Sequence, residues 1–237
     1  MSSDHVHHHI PAWGLLLTGI GSTAILWLAL TGQLDLYIHP RYFAFTAFTA
    51  SIAAITSVAA YALRGRNASP GRGWGAALAT AAVVLTLLIV PPTTLDSSMA
   101  QQRSVNSSVD TNQSVKLVGA DPSRFTLRDW AALVTDPATA PTYAGHQVTL
   151  TGFVAPADES SDTFYLARFV VTCCTVDALP VGIPVRLSGW ATKYRPDQWL
   201  EVTGTLVPAT DAPDGAVLVL KPSKLRAVAE PAEPYEY

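Results

Sequence analysis

Three long stretches of the sequence carry no charged side chain, and they constrain the fold more than any other feature. They run from Pro11 to Gly32, from Tyr42 to Leu63 and from Gly73 to Val90. An α-helix of about 20 apolar residues is long enough to cross the hydrocarbon core of a bilayer. The sequence therefore predicts a membrane anchor of three transmembrane α-helices within residues 11–92.

Small side chains recur at helical spacing in the second stretch, at Ala50, Ala53, Ala54 and Ser57. Small residues let transmembrane helices approach closely. The spacing leaves two interpretations open: packing within the anchor, or a surface for a partner protein.

The arginines around these stretches predict an orientation. Arg64, Arg66 and Arg72 lie in the second connection, whereas Arg41 is the only arginine in the first. Short loops rich in Lys and Arg remain in the cytoplasm. We therefore expect a plasma-membrane protein with a cytoplasmic N-terminus and an extracytoplasmic C-terminal region.

The first ten residues form a histidine-rich tail with His5, His7, His8 and His9. They show no basic n-region or small-residue cleavage site, so we predict no cleavable signal peptide. A mobile tail is the simpler interpretation, and weak metal capture is the alternative.

Most of the charged residues lie in the second half of a chain that is 49% hydrophobic and only 14% charged. Residues 93–120 are polar and predict a linker or stalk. The rest, residues 121–237, predicts an extracytoplasmic domain. Thr126, with Asp129 three residues later, has the pattern of a helix N-terminus, and Pro137 ends the short amphipathic helix that follows.

Five segments of this domain have the composition and alternation of β-strands. They are Gln147–Pro156, Thr163–Thr172, Ile183–Gly189, Trp199–Val207 and Ala216–Val228, separated by turn signals that include Pro180-Val-Gly. Gly152, Gly189 and Gly204 are predicted bends or bulges. Five short strands predict a small all-β barrel of the oligonucleotide/oligosaccharide-binding (OB) type.

Nucleic acid is excluded as a partner by the charge of this domain. From Asp110 onward the chain has ten Lys and Arg against fifteen Asp and Glu. Proteins that bind the phosphate backbone need a basic surface, which this balance does not supply.

The two cysteines of the chain, Cys173 and Cys174, are adjacent, and Asp177 follows them. Thiolates bind zinc or copper(I), so these three side chains form a candidate metal site if the chain turns there. A tetrahedral site needs a fourth ligand, either His146 or a group on a partner. The alternatives are that one or both cysteines are buried as small apolar side chains, or that they form a redox-active pair.

The sequence contains no phosphate-binding glycine loop, serine nucleophile elbow, haem-attachment motif or zinc-peptidase motif. We therefore do not expect an enzyme.

Several motifs are similar to those of the bacterial YcgQ-like family, namely YIHPRY, FTLRDW, YAGHQVTLTGFV and FYLARFVVTCCTVDALPVGIPV. This resemblance covers most of the chain, and the paired cysteines are its specific part. It implies a subunit of a two-component membrane permease complex that works with a separate multi-spanning permease. It also implies functional positions at Cys173, Cys174 and Asp177, and at Tyr37, His39, Pro40 and Arg41 at the membrane edge.

The helices, the barrel and this resemblance together favour an accessory permease subunit in the lipid bilayer, and the resemblance implies a link to metal transport. The rival hypothesis is a membrane-tethered protein that carries out thiol redox chemistry or metal delivery alone. A purely structural envelope protein is the third.

Overall fold

The computed structural model describes residues 12–63, 94–109, 119–157 and 162–237, together with residues 78, 81, 82, 85, 114 and 117. The chain divides into two compact units, Met1–Thr93 and Thr94–Tyr237. Each unit is described by itself below.

Two helices of the first unit lie in the continuously described range 12–63. Helix α1 spans Ala12–Leu30 and helix α2 spans Phe43–Ala62. The connection contains two 3-10 turns, Leu34–Leu36 and Pro40–Tyr42. Proline cannot continue a helix from the preceding turn, so Pro40 begins the second turn and the helical direction changes there.

Small residues lie between α1 and α2, and large apolar side chains point away from the pair. Ser22, Ala50 and Ser57 are buried, and a Cβ added at Gly19 would lie 3.9 Å from the Cβ of Ser57. The exposed side chains include Phe45, Phe48, Ile55 and Val58. The small-residue face of α2 therefore packs within the anchor. A helix pair in water would bury its large apolar residues instead.

The described residues contain one helix that is both long enough and apolar enough to cross a membrane, Pro40–Ala62. The described apolar part of α1, Gly14–Leu30, is shorter. The third predicted helix, Gly73–Val90, lies outside the described residues except at isolated positions, as do the N-terminal tail and the loop 64–72. The described residues thus supply one membrane-spanning candidate rather than the three that the sequence predicts.

The second unit contains a closed barrel of five strands. The strands are β1 (Gln147–Pro156), β2 (Thr163–Val170), β3 (Leu179–Arg186), β4 (Trp199–Pro208) and β5 (Leu218–Ala227). Their order is β1-β4-β5-β3-β2, and β1 also pairs with β2, which closes the barrel. Only β3 and β5 run parallel among these neighbours. This strand order is OB-like, and it confirms the predicted small β-barrel.

Glycine allows β1 to pair with two neighbours. Phe153 is paired with Ala167 of β2 and with Trp199 of β4. A Cβ at the preceding residue, Gly152, would lie 2.6 Å from the carbonyl oxygen of Ala167. Gly204 has the same role at the irregularity between β4 and β5, where a Cβ would lie 2.5 Å from the carbonyl oxygen of Lys221. The predicted irregularity at Gly204 is confirmed, whereas Gly152 is a position where a neighbouring strand comes close.

Three details differ from the sequence predictions. Strand β3 starts at Leu179, so Pro180-Val-Gly lies in a strand and not in a turn. Gly189 lies after β3, with a φ of 66°, and precedes a 3-10 turn. A short sixth strand, β6 (Tyr235–Glu236), runs parallel to β2 and was not predicted.

Two further helices belong to the second unit: α3 (Ser97–Arg103) comes before α4 (Leu127–Thr135) in the chain, and α4 packs against the barrel. Helix α4 spans Leu127–Thr135, and Thr126 and Asp129 form the predicted capping box at its start. Its Trp130, Leu133 and Val134 join the inner core of the barrel. The predicted helix is therefore confirmed.

Helix α3 spans Ser97–Arg103, within the segment that the sequence predicts as a linker. It packs against β1 and β3. Its buried Ala100 belongs to an outer cluster with Phe153, Phe169 and Val171 of the barrel. Residues 97–105 are therefore part of the compact second unit.

Candidate metal-binding site

The cysteines lie in a loop between β2 and β3 that we call the cysteine loop, residues 172–178. The strand before it is anchored, because Val171 is buried in the outer cluster and donates its N–H to the carbonyl oxygen of Glu236 at 2.9 Å. Ala178, at the other end of the loop, is completely buried. The loop therefore starts and ends at fixed points.

Asp177 folds the cysteine loop back on itself. Its Oδ1 accepts the N–H of Thr172 at 3.1 Å, and its Oδ2 accepts the N–H of Cys173 at 2.8 Å. Its own N–H donates to the carbonyl oxygen of Cys174 at 3.0 Å, at the start of the 3-10 turn Thr175–Asp177. A carboxylate that accepts two backbone N–H groups forms strong, charge-assisted hydrogen bonds.

This fold brings together Cys173, Cys174 and Asp177. One possible ligand atom from each residue lies within 4.8 Å of the other two. Cys173 is exposed, Cys174 is partly exposed, and both thiols are free. Two sulfur atoms that bind one zinc ion, each at about 2.3 Å, are at most about 4.6 Å apart. Because neither thiol is buried, the interpretation of one or both cysteines as buried apolar side chains is wrong, and the turn that a shared site needs is present.

The surroundings favour the protonated form of Cys173. Its hydrogen bond with Cys174, followed by slight desolvation and the charges of Cys174 and Asp177, raises the pKa of the Cys173 thiol. Negative neighbours disfavour a thiolate unless a cation is present. A bound metal cation would supply that compensation.

Residues 103–106, in the segment predicted as a linker, hold the end of the cysteine loop and the start of β3. The guanidinium of Arg103 donates to the carbonyl oxygen of Ala178. Asn106 donates its N–H to Pro180 at 2.9 Å, and its side-chain amide exchanges hydrogen bonds of 2.8 and 2.9 Å with the backbone of Gly182. These contacts join positions about 75 residues apart, so no local sequence pattern indicates them.

His146 does not belong to the group. It lies just before β1, where its N–H donates to Tyr143 at 3.1 Å and its carbonyl oxygen accepts the N–H of Leu206 at 2.9 Å. Its ring lies 5.4 Å from the ring of Tyr143. Among the described residues, the possible ligand atoms that lie together come from Cys173, Cys174 and Asp177 and not from His146, so the hypothesis of a fourth ligand from His146 is not supported.

Arg168 interacts with the barrel surface. Its guanidinium lies 5.6 Å from the ring centre of Trp199 and 3.9 Å from the carboxylate of Glu236. The groups that shift the pKa of the Cys173 thiol are Cys174 and Asp177 and do not include Arg168.

A separate cavity of about 650 Å³ lies near Arg168, between the first half of β1, the start of α4 and strand β6. None of the cysteine-loop residues lines it.

The four residues assigned by resemblance to the membrane edge all lie in the connection between α1 and α2. The Nδ1 of His39 accepts the N–H of Arg41 at 3.1 Å. The guanidinium of Arg41 lies 4.8 Å from the ring centre of Tyr42, and Tyr37 ends the first 3-10 turn. With Pro40 between them, His39 and Arg41 therefore lie in a locally ordered turn.

Several solved structures contain regions similar to the barrel. They include an OBody, AM1L10, bound to hen egg-white lysozyme, with 15% sequence identity over 42% of this chain and 90% of that chain, at a TM-score of 0.27. An asparaginyl-tRNA synthetase from Pyrococcus horikoshii is 19% identical over 40% of this chain, at a TM-score of 0.25. Its complex with asparaginyl-adenylate is 21% identical, at 0.24. These matches cover only 24% and 23% of the synthetase chains. At such scores the OB-like assignment rests on the strand order alone.

No curated protein sequence matches the chain. Two family models do match it, and together they extend over the helices, the barrel and the cysteine loop. The DUF1980 N-terminal domain matches residues 14–106, and the DUF1980 C-terminal domain matches residues 106–237. The chain therefore belongs to the DUF1980 family.

Proposed function

We propose that the protein is an accessory subunit of a membrane permease complex of the YcgQ-like type. In this proposal the N-terminal unit crosses the bilayer three times and docks onto a separate multi-spanning permease. The barrel lies outside the membrane and presents the cysteine loop as a metal-binding group. The observation that carries the proposal is a solvent-accessible pair of thiols on a β-barrel, in a chain that also has a membrane-length apolar helix.

The helix pair supports the membrane part. Its small residues are inside and its large residues, such as Phe45, Phe48 and Ile55, are outside. This arrangement suits lipid or the helices of a partner, because van der Waals packing of small residues drives helix association in membranes. The three arginines of the loop 64–72 favour a cytoplasmic location for that loop and an extracytoplasmic one for the barrel.

The number of predicted helices supports the need for a partner. Three helices are too few to enclose an ordinary solute pathway, so a permease subunit would have to supply it. The cysteine loop would then bind the transported metal ion, or control its delivery. Zinc and copper(I) are the ions that thiolates favour.

Affinity purification from gently solubilised native membranes tests the proposal. We expect a polytopic permease to co-purify with the wild-type chain. A chain that replaces Ser57 with leucine should lose it, because a large side chain would separate α1 from α2. The matched control is Val58→Leu on the exposed face. A wild-type protein that purifies alone, in stable form, would contradict the proposal.

The exposure of two free thiols also favours a second candidate, a membrane-tethered thiol redox protein that acts alone. In that case Cys173 and Cys174 would form a disulfide with each other and reduce a disulfide of a substrate protein to two thiols. The two electrons and two protons would pass from the cysteine pair to that substrate. Mass spectrometry of rapidly alkylated protein from cells distinguishes the two: a reversible Cys173–Cys174 disulfide favours the redox function.

A further inference from the structure

The hydrogen bonds of Asp177 limit what this carboxylate can do. Both of its oxygens already accept backbone N–H groups, one from Thr172 and one from Cys173. Each oxygen keeps a second lone pair, but both oxygens are already used to shape the loop, and an ion that drew on either oxygen would compete with the N–H group bound there. Both donors lie in the same short loop as the sulfur atoms, so the loop would change shape with them.

Metal sites often use such a residue as a support. A group that orients a ligand without touching the metal typically changes affinity by about 10-fold to 100-fold when it is removed. Asp177 fits this role, since it holds the backbone of Cys173 directly and that of Cys174 through its own N–H. The ligands that the loop offers to an ion are then the two sulfur atoms.

Metal ions differ in whether two thiolate ligands are enough to bind them stably. Structural zinc sites are almost always four-coordinate and tetrahedral. Among the described residues, no further His, Cys, Asp or Glu joins the group formed by Cys173, Cys174 and Asp177. Copper(I) is a soft ion that favours thiolates, and it forms stable complexes with two of them. The donor set of the loop thus matches copper(I).

We propose that the cysteine loop is a copper(I) site with two thiolate ligands, Cys173 and Cys174, in which Asp177 is a positioning residue and not a ligand. This inference rests on the proposed metal-binding function and specifies its ion. The exposure of Cys173 leaves one side of the ion open to an incoming thiolate or thioether from a partner. Copper(I) then passes on by ligand exchange: the incoming sulfur binds, a cysteine sulfur leaves, and no electrons are transferred.

The test uses full-length protein in detergent, reduced and free of oxygen. Copper(I) is titrated against a chromophoric copper(I) chelator, and zinc against a zinc chelator. We expect one copper(I) per chain and a clear preference for copper(I) over zinc. Cys173→Ser and Cys174→Ser should each abolish competition with the chelator. His146→Gln, the control for a candidate ligand outside the loop, should bind as the wild type does.

The role of Asp177 needs a readout that distinguishes support from ligation. X-ray absorption should show only sulfur around the copper, both in the wild type and in Asp177→Ala. The variant should bind copper(I) about 10-fold to 100-fold more weakly, and Asp177→Asn, which keeps one acceptor oxygen, should recover part of that loss. Circular dichroism confirms that each variant is folded.

Three results would overturn the inference: a preference for zinc, an oxygen ligand that disappears in Asp177→Ala, or no bound metal. The proposed permease association is judged separately by co-purification. If the chain binds copper(I) but no permease co-purifies, the permease association is refuted and the copper(I) site stands. If a permease co-purifies but the chain prefers zinc, the association stands and the copper(I) site is refuted.

Discussion

Among individual residues, Asp177 has the largest effect on the candidate site. Its two backbone hydrogen bonds tie Thr172 and Cys173 to the turn that follows Cys174, and so bring the two cysteines together. Adjacent residues in an extended strand point to opposite faces. The sequence therefore indicates that a turn is needed, and the acid that makes this turn is the one that it names as a ligand.

The sequence could predict the group of three residues because they are close in the chain. It could not predict the roles, because a carboxylate as ligand and a carboxylate as support have the same spacing. His146 illustrates the opposite limit. As the one histidine of the domain it is a candidate ligand by residue type. Its position depends on how β1 starts, and the barrel places it beside Tyr143.

Gly152 provides a test of the barrel at a single position. A methyl group there would lie 2.6 Å from the carbonyl oxygen of Ala167, a backbone atom that cannot move alone. We expect Gly152→Ala to destabilise the barrel by about 1–3 kcal/mol. Hydrogen–deuterium exchange of β1 and β2 in the full-length protein measures the effect. Val176→Ala, at a side chain that is 80% exposed, is the control and should change little. Unchanged exchange in the glycine variant would show that the strands do not approach so closely.

At the level of secondary structure, the best predictions come from segments with strong local patterns. The alternation in β1 and β4, and the capping box of α4, identified these elements with correct starts. Strand β3 was predicted too late because proline and glycine at its beginning suggest a turn. Both residues fit in the strand because β2 pairs with it along its whole length.

Tertiary contacts also explain why α3 and the segment after it were predicted as a linker. Their sequence is polar, and the apolar contribution of α3 is mainly Ala100 against the outer cluster. The decisive contact is the double hydrogen bond between Asn106 and Gly182. The spacing of apolar residues along a sequence does not indicate a hydrogen bond of this kind.

That contact leads to a testable prediction. Asn106 has a φ of 65°, so glycine is the substitution that removes the side chain without straining the backbone. Asn106→Gly should leave the buried backbone of Gly182 without its partners, at a cost of about 2 kcal/mol. Amide exchange in β3 should become on the order of 30-fold faster. Ser107→Gly, at the next and exposed position, controls for backbone flexibility; equal effects of the two variants would contradict the prediction.

Asp136, directly after α4, predicts how stability depends on pH. Hydrogen bonds from Ser114, then from the N–H of Ala138 and from Thr139, lower the pKa of this carboxyl below its ordinary value of 3.8. The ionised form therefore stabilises the fold fully above pH 3.8, and this contribution is lost as the pH falls through the lowered pKa.

Thermal unfolding of the full-length protein at several pH values checks this assignment. Asp136→Asn cannot ionise, so its melting temperature should be lower than that of the wild type at pH 7, and the difference should shrink below pH 4. Asp162→Asn, at an exposed aspartate just before β2, is the control. A difference that stays constant with pH would contradict the assignment.

For the whole molecule, the sequence distinguishes an apolar N-terminal unit from a polar barrel because their compositions differ so strongly. The chain divides at Thr93 and Thr94, where the apolar stretches have ended. The inverted packing of α1 and α2 supports a membrane location for the first unit. The proposed function depends on the side of the membrane that the second unit occupies.

That side can be measured most directly with the native cysteines, because the chain contains only two and both are accessible in the barrel. Intact cells are treated with a membrane-impermeant maleimide, before and after permeabilisation, and a Cys173→Ser/Cys174→Ser chain sets the background. Ser2→Cys in that background chain reports the other side of the membrane. The account predicts labelling of the native cysteines in intact cells and of the introduced one only after permeabilisation. Native cysteines that react only in permeabilised cells would place the barrel in the cytoplasm and contradict it.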